Sequence, residues 1–210
     1  MNTELTPYEI RNGIRYYDFK KSCYFLQYLG KQHYGPKFRL HNSDKKILYK
    51  LFIYAIRDEE NCAKHGIDLN KGILLTGPVG CGKTSLMTLI RHFHYRPNIY
   101  QIKSTREIAA EYQKEGHTTI VKYGKMEKPI CLDDLGVENA MKYYGNECNT
   151  IGEILLYRYD LLQHSGIVTH ATTNLDADQL EELYGNRVRS RLRAMFNLIS
   201  FEQTSSDKRK

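Results

Sequence analysis

The sequence predicts an α/β fold in which a mostly parallel sheet is covered by helices on both faces. Three observations predict it. Short apolar runs alternate with segments of helical periodicity from about residue 72 to residue 201. The first run ends in a glycine-rich loop that opens a helix, and the third ends in two aspartates. In sheets of this kind, the side chains that follow the strands meet at one edge and form the ligand site.

Five strands and the helices between them follow from this pattern. The strands are expected at residues 73–76, 99–102, 129–132, 167–171 and 196–201. Helices are expected at residues 83–93, 105–115, 150–164 and 176–184. For the helix at 150–164, Thr150 is the expected N-cap, with Glu153 three residues later, and Gly166 is the expected terminator.

The region before the first strand is predicted to be helical, because segments 18–29 and 45–59 carry apolar residues at helical spacing. The expected organisation is a helical N-terminal extension at residues 1–37, an α/β core at residues 38–202 and a tail at residues 203–210. The tail is polar, ends in Lys-Arg-Lys and is predicted to be disordered.

Length and composition limit the class of protein. The 210 residues are enough for one α/β domain with an appendage. No apolar run approaches the roughly 18 residues of a membrane span, and the N-terminus lacks the apolar segment of a secretory signal. Five scattered cysteines favour the cytoplasm over a disulfide framework or a zinc site. The net charge of +7 suits a polyanionic partner such as nucleic acid.

Residues 77–84 read Gly-Pro-Val-Gly-Cys-Gly-Lys-Thr and match the phosphate-binding loop G-x-x-x-x-G-K-T. The glycines let backbone N–H groups turn inward onto phosphates, and the following helix presents its positive N-terminal end to them. Lys83 is expected on the β- and γ-phosphates, and the Thr84 hydroxyl on Mg²⁺. The residues expected to bind ATP or ADP are Gly77, Pro78, Val79, Gly80, Cys81, Gly82, Lys83, Thr84 and Ser85.

Two carboxylates end the third strand. Asp133 is the expected second Mg²⁺ ligand beside Thr84, acting through water because Mg²⁺ gives up its waters reluctantly. Asp134 is the expected group that polarises the attacking water. Taken alone, the pair could be an acidic turn after a strand, but the phosphate-binding loop earlier in the chain favours the functional interpretation.

Asn174 follows the fourth strand, where an amide can reach both a γ-phosphate and the attacking water. The alternative is that it caps the next helix.

An arginine-rich segment precedes the fifth strand. Positions four apart share a helix face, so the segment offers two arginine pairs, Arg187 with Arg191 and Arg189 with Arg193. The buried stripe between them is predicted to consist of Val188, Leu192 and Met195. One arginine pair could reach the γ-phosphate of a neighbouring subunit, and the alternative is a solvated basic face.

These motifs, in this order, resemble the AAA+ ATPases, and within them the DnaC-type replicative helicase loaders and the IstB-type transposition helpers. The resemblance covers residues 38–202 and rests on four segments: GPVGCGKT, ICLDDLG, TTN and YGNRVRSRL. It implies a five-stranded sheet in the order 5-1-4-3-2 and an active homo-oligomer. It also implies that Asn174 is sensor 1 and that Arg191 is an arginine finger, with Arg187 beside it.

The sequence departs from the AAA+ pattern in two places. Many members carry glutamate where this chain has Asp134, and the shorter side chain withdraws the carboxylate by roughly 1.5 Å, which favours slow hydrolysis. In addition, too few residues follow Asn174 to form a C-terminal helical lid. The loader and transposition-helper branch shares both departures.

The leading functional hypothesis is therefore an ATP-switched assembly factor that acts on a replicative helicase and single-stranded DNA. An alternative is a transposition helper that acts with a transposase on double-stranded DNA. A nucleotide-sensing interaction protein with little turnover is a third candidate. A small-molecule kinase would share the phosphate-binding loop, but it would need neither the paired aspartates nor the arginine-rich helix.

Overall fold

The computed structural model describes residues 6–95, 98–138, 141–143, 146–202, 205, 207 and 208, with the backbone alone for residues 141–143, 146 and 147. Nine strands are described, namely β1 (Tyr8–Arg11), β2 (Ile14–Tyr17), β3 (Gly72–Thr76), β4 (Gln101–Ser104), β5 (Ile130–Leu135), β6 (Met141–Tyr143), β7 (Asn146–Cys148), β8 (Thr169–Thr173) and β9 (Phe196–Ser200). The α-helices of the same residues are α1 (Phe19–Tyr34), α2 (Lys45–Ala55), α3 (Glu59–Lys64), α4 (Lys83–Ile90), α5 (Thr105–Glu115), α6 (His117–Gly124), α7 (Thr150–Ser165) and α8 (Ala177–Met195). Among them, no helix is both long and apolar enough to cross a bilayer.

The central sheet has five parallel strands in the order β4-β5-β8-β3-β9. If the five strands of this sheet are numbered along the chain, their order is 2-3-4-1-5. Read in the reverse direction, starting from β9, this is the predicted order 5-1-4-3-2. The fold class and topology are therefore confirmed. Parallel pairing brings the carboxyl ends of all five strands to one edge, where the motif residues collect.

Buried side chains form a core on each face of the sheet. One core joins α1, α2 and α4 to β3 and β9, and the other joins α5, α6, α7 and α8 to β5 and β8. In β5, the consecutive residues Ile130, Cys131 and Leu132 are all inaccessible to solvent. An unbroken run of buried apolar residues is expected in a strand of a sheet that is covered on both faces.

The N-terminal region differs from the helical prediction between Tyr8 and Tyr17, which form the antiparallel hairpin β1-β2. Its turn is Asn12-Gly13, and both residues have positive φ, at 51° and 78°. This is the turn that matches the right-handed twist of two antiparallel strands. An Asn-Gly pair between short apolar segments is the sequence signal that predicts such a hairpin.

Three further details correct the sequence analysis. The predicted helix 45–59 is two helices, because the chain turns after α2 at Arg57, whose φ is 57°. Helix α7 is capped by Asn149, whose side chain accepts a hydrogen bond from the Gly152 N–H, and not by Thr150. Gly166 terminates this helix in the left-handed conformation, as predicted. Helix α6 and the hairpin β6-β7 have no counterpart in the sequence-based expectation.

The aromatic residues of the N-terminal region divide into two sets. Tyr17, Phe19 and Phe25 point inward and make ring contacts with Phe52 or Phe93 of the core, with centroids 5.4–5.9 Å apart. The second set is exposed and consists of Tyr16, Tyr24, Tyr28 and Tyr34, with the hairpin residues Ile10 and Ile14. Helix α1 is therefore packed on the α/β core while its outer face is exposed.

The opposite edge of the sheet, where the strands begin, is held by Arg158 of α7. Its side chain is inaccessible to solvent, and its guanidinium donates to Thr169 Oγ1 at 2.8 Å and to Met126 O at 2.5 Å. Two further bonds reach Lys128 O and Val168 O. All four acceptors are neutral oxygens, and burial lowers the pKa of Arg158 to about 10.

Candidate nucleotide-binding site

The phosphate-binding loop connects β3 to α4 at the carboxyl edge of the sheet. Gly80 and Gly82 have φ values of 81° and 99°, a conformation that L side chains rarely adopt. Gly77 is required for a different reason: a Cβ at this position would lie 2.6 Å from the Cβ of Phe201. The loop therefore needs its glycines both for its curvature and for its contact with the chain after β9.

Lys83, the first residue of α4, is buried and faces back into the loop. Its Nζ donates to Gly77 O at 2.8 Å, to Pro78 O at 3.0 Å and to Asn174 Oδ1 at 2.5 Å. Burial lowers the pKa of this ammonium group, opposed by the neighbouring carboxylates. Its three oxygen acceptors are neutral, so a phosphate group would offer the ammonium a stronger partner.

Asp133 lies between two hydroxyl groups. Thr84 Oγ1 is 3.0 Å from each of its carboxylate oxygens, and Thr172 Oγ1 donates to Asp133 Oδ1 at 2.7 Å. Burial raises the pKa of Asp133, and the two hydroxyls oppose that rise by stabilising the anion. The predicted metal ligands Thr84 and Asp133 thus lie together, as their chemistry requires.

Among the described residues there is no group of three or more His, Cys, Asp or Glu side chains placed to hold a metal ion. One hydroxyl and one carboxylate suit Mg²⁺, which is commonly held by few protein ligands together with water and substrate phosphates. The donor set therefore fits a magnesium–nucleotide complex.

Asp134 has a left-handed backbone, with φ at 59°, and it lies in a β-bulge. Leu132 is paired with Ala171 and Leu135 with Thr173, so β5 has one more residue than β8 across this interval. The Asp134 N–H donates to Thr172 Oγ1 at 2.9 Å, and Thr105 Oγ1 donates to Asp134 O at 2.7 Å. In a regular strand, consecutive side chains would point to opposite faces, and the extra residue removes that alternation here.

Thr172 therefore contacts both aspartates, and the sequence analysis assigned it no role. Its hydroxyl donates to the Asp133 side chain and accepts from the Asp134 backbone. The signal was a threonine directly after the predicted fourth strand, two residues before Asn174. Since β-branched residues are common in strands for packing alone, the pattern did not distinguish this threonine from its neighbours.

Asn174 does not cap the following helix, which was the alternative interpretation. Asp176 is the N-cap of α8: its side chain accepts from the N–H groups of Asp178 and Gln179, and Gln179 Oε1 accepts from the Asp176 N–H. The Asn174 amide is instead directed at Lys83. The structure thus brings Lys83, Asp133, Asp134 and Asn174 to one edge of the sheet.

The arginine-rich segment is the last part of α8, after a kink at Gly185 where φ is 81°. Val188, Leu192 and Met195 are buried, as the helical spacing predicted. Arg187 is exposed. Arg191 stacks over the Tyr159 ring, with its Cζ 4.9 Å from the centroid.

Neither Arg187 nor Arg191 is among the described residues that line the cavity beside the phosphate-binding loop of their own chain. Arg189, which also lies on α8, forms an ion pair with Glu181.

A cavity of about 1040 Å³ extends from the loop towards the segment before α2. Phe38, Leu40 and His41 line its far side. Gln27 of α1 fixes this segment with two hydrogen bonds, one donated to Phe38 O at 2.8 Å and one accepted from the Leu40 N–H at 2.7 Å. A nucleotide base could therefore lie against residues 38–41 while its phosphates reach the loop.

Comparison with solved structures places this geometry among known folds. The chain superimposes on a structure described as the DnaC helicase loader with a TM-score of 0.57 and 18% identity, covering 82% of this chain and 99% of that one. The chain has the AAA+ fold of the DnaC type. It superimposes on DnaI with a TM-score of 0.51 and 25% identity, over 79% of this chain and 88% of that one.

AMPPCP-bound DnaA from Aquifex aeolicus has a TM-score of 0.50 and 19% identity, over 79% of this chain and 48% of that one. No protein-family model and no curated protein sequence matches the chain.

Thr172→Val tests the hydroxyl that contacts both aspartates. Valine keeps the shape but removes one donor to a carboxylate, so Mg²⁺-dependent ATP binding should weaken about tenfold, since hydrogen bonds to charged groups contribute roughly 1.5–3 kcal/mol. The loss should grow as the pH falls, because the pKa of Asp133, already raised, rises further without this donor. Calorimetric titration with and without Mg²⁺ at two pH values measures it.

The matched control is Thr173→Val, whose hydroxyl donates to Leu135 O and accepts from the Leu175 N–H, away from both carboxylates. Equal effects of the two substitutions on Mg²⁺-dependent binding would contradict the assignment.

Proposed function

We propose that this chain is an ATP-binding, slowly hydrolysing AAA+ assembly factor that loads a replicative helicase onto single-stranded DNA. The observation that carries the nucleotide site is the convergence of the Lys83 ammonium, the Thr84 hydroxyl and the Asp133 carboxylate at the carboxyl edge of the sheet. The resemblance in fold to AMPPCP-bound DnaA supports nucleotide binding there.

In this site, the loop N–H groups and Lys83 bind the phosphates, while Thr84 and Asp133 would hold Mg²⁺. When bound, this ion would neutralise part of the negative charge of the phosphates. Asp134 is half-buried and lines the pocket with Asn174. We assign Asp134 to accept a proton from the attacking water and Asn174 to orient that water.

Hydrolysis should depend on Asp134. In Asp134→Asn, the amide cannot accept the proton, so turnover should fall to background while ATP affinity stays within about twofold of wild type. The measurement combines calorimetric binding with phosphate release. Lys83→Ala is the contrasting control: it removes a phosphate-binding charge, so it should lose affinity as well as turnover. Wild-type turnover by Asp134→Asn would exclude its proposed role.

The active form is proposed to be a homo-oligomer in which the arginine-rich end of α8 reaches the site of the next subunit. Its arginines do not line the pocket of their own chain among the described residues, and Arg187 is exposed. The Tyr159 ring sets the direction of Arg191 by stacking on its guanidinium. We therefore assign Arg191 as the finger, with Arg187 beside it.

Mixing experiments test a shared site. Arg191→Ala and Lys83→Ala subunits should each be almost inactive alone, because an arginine finger contributes about 10³–10⁵ in rate in related enzymes. Mixing them should restore part of the turnover, since some interfaces then combine an intact loop with an intact finger. Arg193→Ala, a substitution on the same helix, is the control. Turnover per subunit that is independent of concentration, with no rescue, would refute the arrangement.

The exposed aromatic face of α1 and the β1-β2 hairpin is the proposed docking surface for the helicase. Tyr24 and Tyr28 are 61% and 44% exposed, whereas Tyr17 and Phe19 on the inner side pack on the core. Tyrosine rings bury a large area at low entropic cost, which makes them effective at interfaces. The net charge of +7 and the fold shared with a helicase loader support action at DNA.

A double variant, Tyr24→Ala with Tyr28→Ala, tests this surface. It should lose ATP-dependent co-elution with the purified replicative helicase of the same host while keeping its thermal transition, because surface substitutions rarely change stability by more than about 0.5 kcal/mol. Leu198→Ser, at a 65% exposed residue of β9, is the control. Co-elution with a transposase and not with the helicase would instead favour the transposition helper.

A further inference from the structure

Three residues of the predicted disordered tail are described, Ser205, Asp207 and Lys208, and the last two lie on the phosphate-binding loop; the remainder of residues 203–210 lies outside the described part of the chain. The Lys208 N–H donates to Gly80 O at 3.0 Å. Its Nζ donates to Cys81 O at 2.6 Å. Lys208 is therefore attached to the loop by both its backbone and its side chain.

The attachment is completed by a buried ion pair. Lys208 Nζ lies 2.6 Å from Asp44 Oδ2, and the two side chains are only 15% and 5% exposed. Asp44 directly precedes α2 and lines the cavity. Lys208 Nζ also lies over the Phe201 ring, 4.9 Å from its centroid. A pair so shielded from solvent is screened far less than a surface pair. Lys208 therefore anchors this segment to the wall of the cavity.

This anchor sets the position of Asp207. A Cβ built on Gly80 would overlap the Asp207 carboxylate, so that group lies directly against the loop. Asp207 and Lys208 both line the cavity that holds Lys83 and Thr84. A carboxylate against this loop places negative charge beside the expected phosphate site, and like charges at short range in a partly buried site repel strongly.

We propose that the segment carrying Asp207 and Lys208 is an autoinhibitory strap, in which Lys208 is anchored to Asp44 and Asp207 competes with nucleotide phosphates at Gly80. Nucleotide binding displaces the strap, and release of nucleotide restores it. This inference rests on the proposed nucleotide site. It links the occupancy of that site to the exposure of Lys208.

The decisive variant is Lys208→Ala. It removes a positive charge from the pocket, so charge alone predicts weaker binding of an anionic nucleotide, whereas loss of the anchor predicts tighter binding. We expect about 5- to 10-fold tighter binding of fluorescent ATP and ADP analogues, within the usual range of coupling between sites. Asp207→Asn should tighten binding similarly, and Asp207→Glu should not. Lys210→Ala, which makes the same change in charge, is the control and should not tighten binding.

Hydrogen exchange of the full chain gives an independent measurement. Saturating ATP should increase exchange at the Lys208 amide, because its bond to Gly80 O is broken when the strap leaves. Weaker nucleotide binding by Lys208→Ala, or stronger protection of that amide with ATP, would overturn the proposal. Either result would indicate that Lys208 supports the loop in the conformation that binds nucleotide. Nucleotide binding that is normal but unaffected by every tail variant would contradict the strap alone, whereas no binding by any variant would contradict the nucleotide site itself.

Discussion

The geometry of the candidate site depends on one hydroxyl group, that of Thr172. It donates to the Asp133 carboxylate and accepts from the Asp134 backbone, while Thr84 reaches the same carboxylate from α4. Three elements, β8, β5 and α4, are thereby joined around a buried anion whose desolvation costs free energy unless it is hydrogen-bonded. The fold supplies that compensation only when these elements are in their native register, so the site and the sheet stabilise each other.

The bulge in β5 also contributes to the geometry of this site. Two consecutive carboxylates on a regular strand would face opposite sides of the sheet, and one of them would enter a core. The extra residue and the left-handed backbone of Asp134 keep both aspartates at the edge. A left-handed backbone costs of order 1–3 kcal/mol for a residue other than glycine. Two hydrogen bonds hold the Asp134 backbone in this conformation: its carbonyl oxygen accepts from Thr105, and its N–H donates to Thr172.

Most of the fold could be predicted from the sequence, because its signals are local. The phosphate-binding loop, the five strands and the buried stripe of α8 depend on spacing within a few residues. The β1-β2 hairpin was missed although its Asn12-Gly13 turn is also local, since the helical spacing of residues 18–29 and 45–59 was extended to the whole N-terminal region. In the site, the contact between Lys208 and Asp44 spans 164 residues, and no periodicity encodes such a pairing. The bulge at Asp134 likewise appears only when β5 is paired with β8.

At the far edge of the sheet, Arg158 has a consequence for how the chain reaches this fold. Its four acceptors come from the segment before β5 and from the start of β8, and they converge only in one alignment of the two strands. A slip of one residue would turn Thr169 to the opposite face and leave a cation enclosed without its full set of acceptors. Misaligned sheets therefore carry a large electrostatic cost, and a residue far from the candidate nucleotide site helps select the register that assembles that site.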